Sequence, residues 1–129
     1  MLLELFGRAG KSLFSSKREE FEQKVEAVLK IRALGGHFVQ SQGEKIIADR
    51  LYSCGISYIY DSLIQIQKQW VRPDFMLPKH NNLLIEYKGM DDPDYNERFA
   101  RKLDILQGAG MQVVVVEPKD LSKINGMII

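Results

Sequence analysis

Apolar positions along this chain change their period twice, and the changes mark out its elements. From Lys17 to Leu34 the residues Phe21, Val25, Val28 and Leu29 recur at helical spacing, widened by Ile31 and Leu34. This predicts a helix over 17–34 that Gly35-Gly36 stops. A second helix is expected from about Gln42 to Cys54, with Ile47, Ala48 and Leu51 on its apolar side and Gly55 as its stop. Ser41-Gln42-Gly43-Glu44 at its start fits a capping box. The period then falls to two. Residues 56–68, with Ile56, Tyr58, Tyr60, Ile64 and Ile66, read as one or two strands, 70–77 as another and 83–88 as a third. Lys79 to Asn82 is a short polar connection, so 70–77 and 83–88 are expected to pair as a hairpin. In the second of these strands Leu84, Glu86 and Lys88 face one way, and Leu83, Ile85 and Tyr87 the other.

Helical spacing returns after Asp92-Pro93, an N-cap followed by proline at the first helical position. Tyr95, Phe99, Leu103 and Leu106 form the apolar stripe, which Gly108-Ala109-Gly110 ends. Met111 to Val116, with four consecutive valines, reads as a buried strand, and Lys119 to Lys123 as a short final helix. Residues 1–16 read as an irregular arm or a short helix. The order is helix, helix, three antiparallel strands, helix, strand, helix: an α/β sandwich with a mixed sheet.

Two acids sit where a plain core pattern would put apolar residues. Glu44 shares a helix face with Ile47, Ala48 and Leu51. Glu86 follows Leu83-Leu84-Ile85 in a strand expected to be central, where acids are rarely left unpaired. Asp74 falls near the end of the neighbouring strand. Paired carboxylates are oxygen donors for a hard cation such as Mg²⁺. Lys88, on the Glu86 face, can hold an anionic substrate or the attacking water and offset developing charge. The plain alternatives are a solvated Glu–Lys pair and, for Glu44, a carboxylate that only returns to the Ser41 backbone N–H.

Composition narrows the classes. The chain has 129 residues, 45% apolar and 27% charged, which suits one soluble domain that needs no disulfide or structural metal. Eighteen Lys and Arg against 17 Asp and Glu give no overall basic signature, so a nucleic-acid ligand would need a local groove. The single Cys54 excludes an intrachain disulfide and is expected as a small apolar helix residue. Two histidines and one cysteine are too few for a structural zinc site. No apolar run approaches the ~18 residues of a membrane span. The start Met1-Leu2-Leu3-Glu4 is a poor signal peptide, so a reducing cytoplasm is the expected compartment. Gly7-Arg8-Ala9-Gly10-Lys11-Ser12 invites a phosphate-loop reading, but Leu5 stands where that motif needs glycine and no strand can precede it. His37 and His80 lie beside turn residues and are assigned no role.

Arg72-Pro73-Asp74-Phe75, the spacer and Ile85-Glu86-Tyr87-Lys88-Gly89 together resemble the PD-(D/E)XK nuclease superfamily. Ser41-x-Gly43-Glu44-Lys45-x-Ile47-Ala48-Asp49-x-Leu51 resembles the leading helix of nuclease modules found at the ends of some superfamily 1 helicases. Tyr95, Lys102 and the Gly110 to Val116 strand, with Pro118 and Leu121, resemble the later part of such a module. The resemblance spans roughly residues 41 to 122. It implies a restriction-endonuclease-like αβββαβ core with a mixed central sheet over 41–129, preceded by an N-terminal arm and an extra helix over 1–40. It implies a Mg²⁺-dependent nuclease, with Mn²⁺ as an alternative ion, acting on DNA. Asp74 and Glu86 would be the metal ligands, the Tyr87 carbonyl would complete the coordination, and Lys88 would orient the attacking water. Glu44 would help bind metal directly or through water, and Tyr95 and Lys102 would contact phosphate. Arg72 and Trp70, on the Asp74 side of their strand, could contact DNA, with packing favoured for Trp70. The helix at 17–34 could form a homodimer or dock a protein partner. Asp61 and Gln69 receive no role. The competing reading is a catalytically silent nuclease-fold module that binds nucleic acid or a protein.

Overall fold

The computed structural model describes residues 31–124, and every statement below concerns these. The expected dimerising helix lies largely outside them, as does Gly7-Arg8-Ala9-Gly10-Lys11-Ser12. Where that helix would end, the chain is extended instead. Strand β1 (Ile31–Arg32) pairs antiparallel with β2 (Phe38–Val39). Gly36, at φ 96°, makes the reversal between them. The turn delivers Ala33 and Val39 into the core and leaves Leu34 exposed.

Helix α1 (Gln42–Ser53) starts where the Ser41 hydroxyl accepts the Glu44 N–H, and it buries Ile47, Ala48 and Leu51. Helix α2 (Pro93–Gly108) starts where Asp92 accepts the Tyr95 N–H. Between and after them lie β3 (Ile59–Tyr60), β6 (Phe75–Leu77), β7 (Leu83–Tyr87) and β8 (Val113–Val116). These form a mixed four-stranded sheet in the order β3-β6-β7-β8. The first three strands are antiparallel; β7 and β8 run parallel, with α2 as the crossover a parallel pair requires. The protein is therefore mixed α/β.

The pleat of β7 sorts the core into two halves. Ile85 and Tyr87 pack with Phe75, Leu77, Val116 and the buried side of α1. Leu84 points the other way, onto Leu106 of α2. The alternation expected for residues 83–87 is thus the alternation found. Burying each of these aliphatic side chains contributes about 1.5–3 kcal/mol.

The stretch 70–77 is not one strand. β5 (Gln69–Val71) pairs with β4 (Ile64–Ile66) in a separate two-stranded ribbon, and β6 begins only at Phe75. Pro73 lacks an N–H and cannot continue a ladder, so Arg72-Pro73-Asp74 becomes a joint. Two further expectations change. Cys54 is an exposed C-cap residue, since α1 ends one residue earlier and turns its apolar face elsewhere. In the α2 stripe only Leu106 is buried, because the first turns of that helix line a cleft. Pro118–Lys123 closes the described chain as a 3₁₀ helix. No helix among the described residues is long and apolar enough to cross a membrane.

Candidate metal and phosphate site

Asp74 sits on the joint before β6, and Glu86 sits in the middle of the sheet at 1% exposure. Their carboxylates are laced across the two strands. Glu86 Oε2 accepts the Asp74 backbone N–H at 2.9 Å, and Asp74 Oδ2 accepts the Tyr87 N–H at 2.7 Å. Each carboxylate spends one oxygen on the opposite strand's backbone, which fixes its rotation. The other two oxygens share one cation. Lys102 Nζ, from α2, lies 2.7 Å from Glu86 Oε1 and 3.8 Å from Asp74 Oδ1. At 2.7 Å Lys102 is the charged partner of the buried Glu86 Oε1. Burial, reinforced by the Asp74 charge, holds the Glu86 carboxyl well above the usual carboxylate range against the pull of Lys102.

Glu44 faces the same region from α1. Its Oε1 accepts the Tyr60 hydroxyl at 2.5 Å and its Oε2 accepts the Ser41 hydroxyl at 3.2 Å. The capping box is therefore half formed: Ser41 caps the Glu44 N–H, while the Glu44 carboxylate meets hydroxyls. Burial raises the Glu44 pKa, the Tyr60 bond opposes that shift, and the Asp74 charge adds to it. The Tyr60 ring stacks on His37, whose Nε2 lies 2.5 Å from the Tyr58 hydroxyl. His37 is thus part of the wall behind Glu44 rather than a bare surface residue. His80 is exposed.

A cleft of about 600 Å³ runs between the helices. Ser41, Gly43 and Glu44 line it from α1, Arg98 and Lys102 from α2, and Asp74 from the joint. Gly43 permits this geometry: a Cβ there would lie 2.1 Å from the Tyr87 ring, and one at Gly89 would lie 2.7 Å from it on another side. The start of α1 presents backbone N–H groups and the positive end of its dipole to the cleft. Tyr95 donates its hydroxyl to the Tyr87 carbonyl at 3.4 Å.

The residues singled out in the sequence divide as follows. Asp74, Glu86 and Lys102 are in contact, and Glu44 and Tyr95 line the cleft beside them. Lys88 is half-buried past the end of β7, its N–H bonded to the Val116 carbonyl. Among the described residues its ammonium makes no ion pair with Asp74 or Glu86. Arg72 pairs with Asp61 at 3.5 Å, and its Nη2 is buried without a hydrogen bond. Trp70 is 48% exposed.

Asp61, to which the sequence assigns no role, lies beside the Asp74 joint. It is buried at φ 53°, and its N–H bonds the Asp74 carbonyl at 2.9 Å. Burial pushes its carboxyl up to about 6; Arg72 opposes this and the Asp74 charge adds to it. The available signal was an acid directly after the alternating Ile56, Tyr58, Tyr60 run, where a strand has to stop.

Among the described residues no group of three or more His, Cys, Asp or Glu side chains is arranged to hold a metal ion. The carboxylate donors in reach of one cation are Asp74 Oδ1 and Glu86 Oε1, both hard oxygens. Mg²⁺ is commonly held by one or two carboxylates, with waters and substrate phosphate completing its shell. This pair fits that pattern, with Lys102 now standing as the cation beside both oxygens. Comparisons with protein-family models, with curated proteins and with solved structures find no match to this chain.

Proposed function

We propose that the chain is a metal-dependent nuclease domain with a restriction-endonuclease-like core, hydrolysing phosphodiester bonds in DNA. The observation that supports this is the convergence of two carboxylate oxygens, each fixed through its partner oxygen, on a single cation, Lys102, which lines the cleft with Asp74. A bound Mg²⁺ or Mn²⁺ would lower the pKa of a water and neutralise charge on the scissile phosphate.

The chain's own residues divide the remaining work. Asp74 Oδ1 and Glu86 Oε1 would hold the ion, and the Tyr87 carbonyl would complete its coordination. Lys102, which lines the cleft beside the carboxylates, would offset developing charge on the phosphate. Glu44, with both oxygens already bonded to hydroxyls, acts at one remove by orienting a water. Arg98 and the N-terminus of α1 receive the flanking phosphates. Lys88 is the second candidate for the water-orienting cation.

One observation favours a second reading. Lys102 already neutralises the carboxylate pair, and such a triad can serve as a purely structural ionic lock. The protein would then bind nucleic acid without cutting it. Incubation with single-stranded, double-stranded and branched DNA in Mg²⁺, in Mn²⁺ and in chelator separates the two. Metal-dependent cleavage supports the nuclease; binding without cleavage in any condition supports the lock.

A further inference from the structure

The sequence assigns Tyr95, Phe99, Leu103 and Leu106 to one apolar stripe, yet of these only Leu106 is buried. Tyr95 and Phe99, one turn apart, line the cleft instead, each half-buried. Their ring centroids lie 6.0 Å apart, with planes 26° from parallel. Arg98 and Lys102 line the same cleft. The spacing 95, 98, 99, 102 puts all four on one face of α2, so aromatic and cation alternate along it. Met90, 58% exposed, adds apolar surface to the cleft. The acids of the cleft, Glu44 and Asp74, come from α1 and the joint and not from this face.

A wall of this kind suits a ligand that is flat, apolar on its faces and anionic at its edge. Single-stranded nucleic acid has that chemistry at every step: its bases stack on aromatic side chains while its backbone follows a basic groove. A duplex keeps its base faces inside its own stack. The cleft, about 600 Å³, is on the scale of a small-ligand pocket, which suits an unstacked base better than a duplex.

We propose that this wall binds single-stranded DNA, with a base on the Tyr95–Phe99 surface and its phosphates on Arg98 and Lys102; the inference rests on the nuclease reading above. Lys102 is also the cation beside Asp74 and Glu86. A phosphate next to a base held on Phe99 is thereby brought to the carboxylate pair. The substrate class is a single strand or an unpaired end rather than intact duplex.

The test uses a labelled DNA single strand, an abasic strand of the same length and the matching duplex. Binding is followed by anisotropy in Ca²⁺, which takes similar oxygen ligands, and cleavage in Mg²⁺. The abasic strand keeps every phosphate and loses the bases, so it isolates stacking in the wild-type protein. The expected result is a single strand bound about tenfold or more tighter than either the abasic strand or the duplex. Phe99→Leu keeps an apolar side chain and should lose that margin while binding the abasic strand as before. Phe99→Trp should keep the margin, and melting curves check that both variants are folded. Equal affinity of the wild type for the intact and abasic strands would overturn the inference, as would tighter binding of the duplex; metal-dependent cleavage in either case would leave the nuclease standing. A folded Phe99→Leu protein with the whole margin would also overturn it. Base-dependent binding of the single strand without cleavage would keep the wall as a binding surface and remove the nuclease.

Discussion

Lys102 Nζ lies 2.7 Å from Glu86 Oε1, a carboxylate oxygen buried within the sheet. The same ammonium stands 3.8 Å from Asp74 Oδ1, so one lysine neutralises both oxygens that the proposed ion would use. If the proposed function holds, a divalent cation would have to displace Lys102, and the displaced charge would become available to the substrate.

Lys102→Met should lower the melting temperature of the metal-free protein, because the buried Glu86 carboxyl loses its ion-pair partner. It should enlarge the rise in melting temperature that Mg²⁺ produces, since no ion pair has to break. Cleavage should fall by about 10²-fold or more. Lys88→Met should cost less cleavage and leave the response to Mg²⁺ unchanged. The reverse ranking would return the catalytic lysine to position 88.

The raised carboxyls predict a pH dependence of stability. Asp61 moves from 3.8 to about 6, and Glu86 moves upward from 4.5. Both bind a proton more tightly in the folded state than in the unfolded one. The stability this confers is complete below the unfolded values and is lost as pH rises through the folded values. Relative to Asp61→Asn and Glu86→Gln, the metal-free wild type should lose melting temperature across that window, and Mg²⁺ should restore it at the upper end. Parallel melting curves for wild type and both variants would rule this out.

Glu44 is tested through its two hydroxyl partners. Tyr60→Phe removes the donor to Oε1 but keeps the ring packed on Phe75, 5.3 Å away between centroids. It should slow cleavage with a modest change in melting temperature. Glu44→Gln should also slow cleavage while melting at a similar or higher temperature without metal, since the Asp74 charge opposes the carboxylate. Ser41→Ala removes the cap and should cost about 0.5–2 kcal/mol of stability. A Glu44→Gln protein that cuts at the wild-type rate would take Glu44 out of the site.

Gly43→Ala should be costly for reasons of space alone. The new methyl would overlap the Tyr87 ring, which Gly89 confines from another direction. Overpacking of this kind costs about 1–3 kcal/mol. Gly108→Ala is the control: nothing lies near its added Cβ, so it should be neutral or stabilising. Equal melting temperatures for the two variants would show that Tyr87 can move aside.

The legible parts of the sequence were those where one local rule was enough. Ser41 and Asp92 announced their helices, the pleat of residues 83–87 assigned Leu84 and Ile85 to opposite faces, and the four valines marked β8. Glu86 stood out because acids are rarely left unpaired in a central strand, and Asp74 through its spacing to Glu86-Tyr87-Lys88. The failures were non-local. Ile31 continues a helical spacing but pairs with Val39, a partner that no window around Ile31 contains. Pro73 was read inside a strand although it forces the joint that lifts the ribbon out of the sheet. Lys102 lies sixteen positions after Glu86 and meets it only because α2 folds back across β7. Asp61 was hidden for the same reason: its importance comes from the Asp74 carbonyl and Arg72, which the chain reaches only after the ribbon closes.

The most direct test of the central claim is single-turnover cleavage of labelled DNA by wild type and Glu86→Gln, each in Mg²⁺ and in chelator. The account predicts cleavage by the wild type in Mg²⁺, loss of cleavage in chelator, and little or none by Glu86→Gln in either condition. Equal cleavage with and without chelator, or undiminished cleavage by Glu86→Gln, would contradict it.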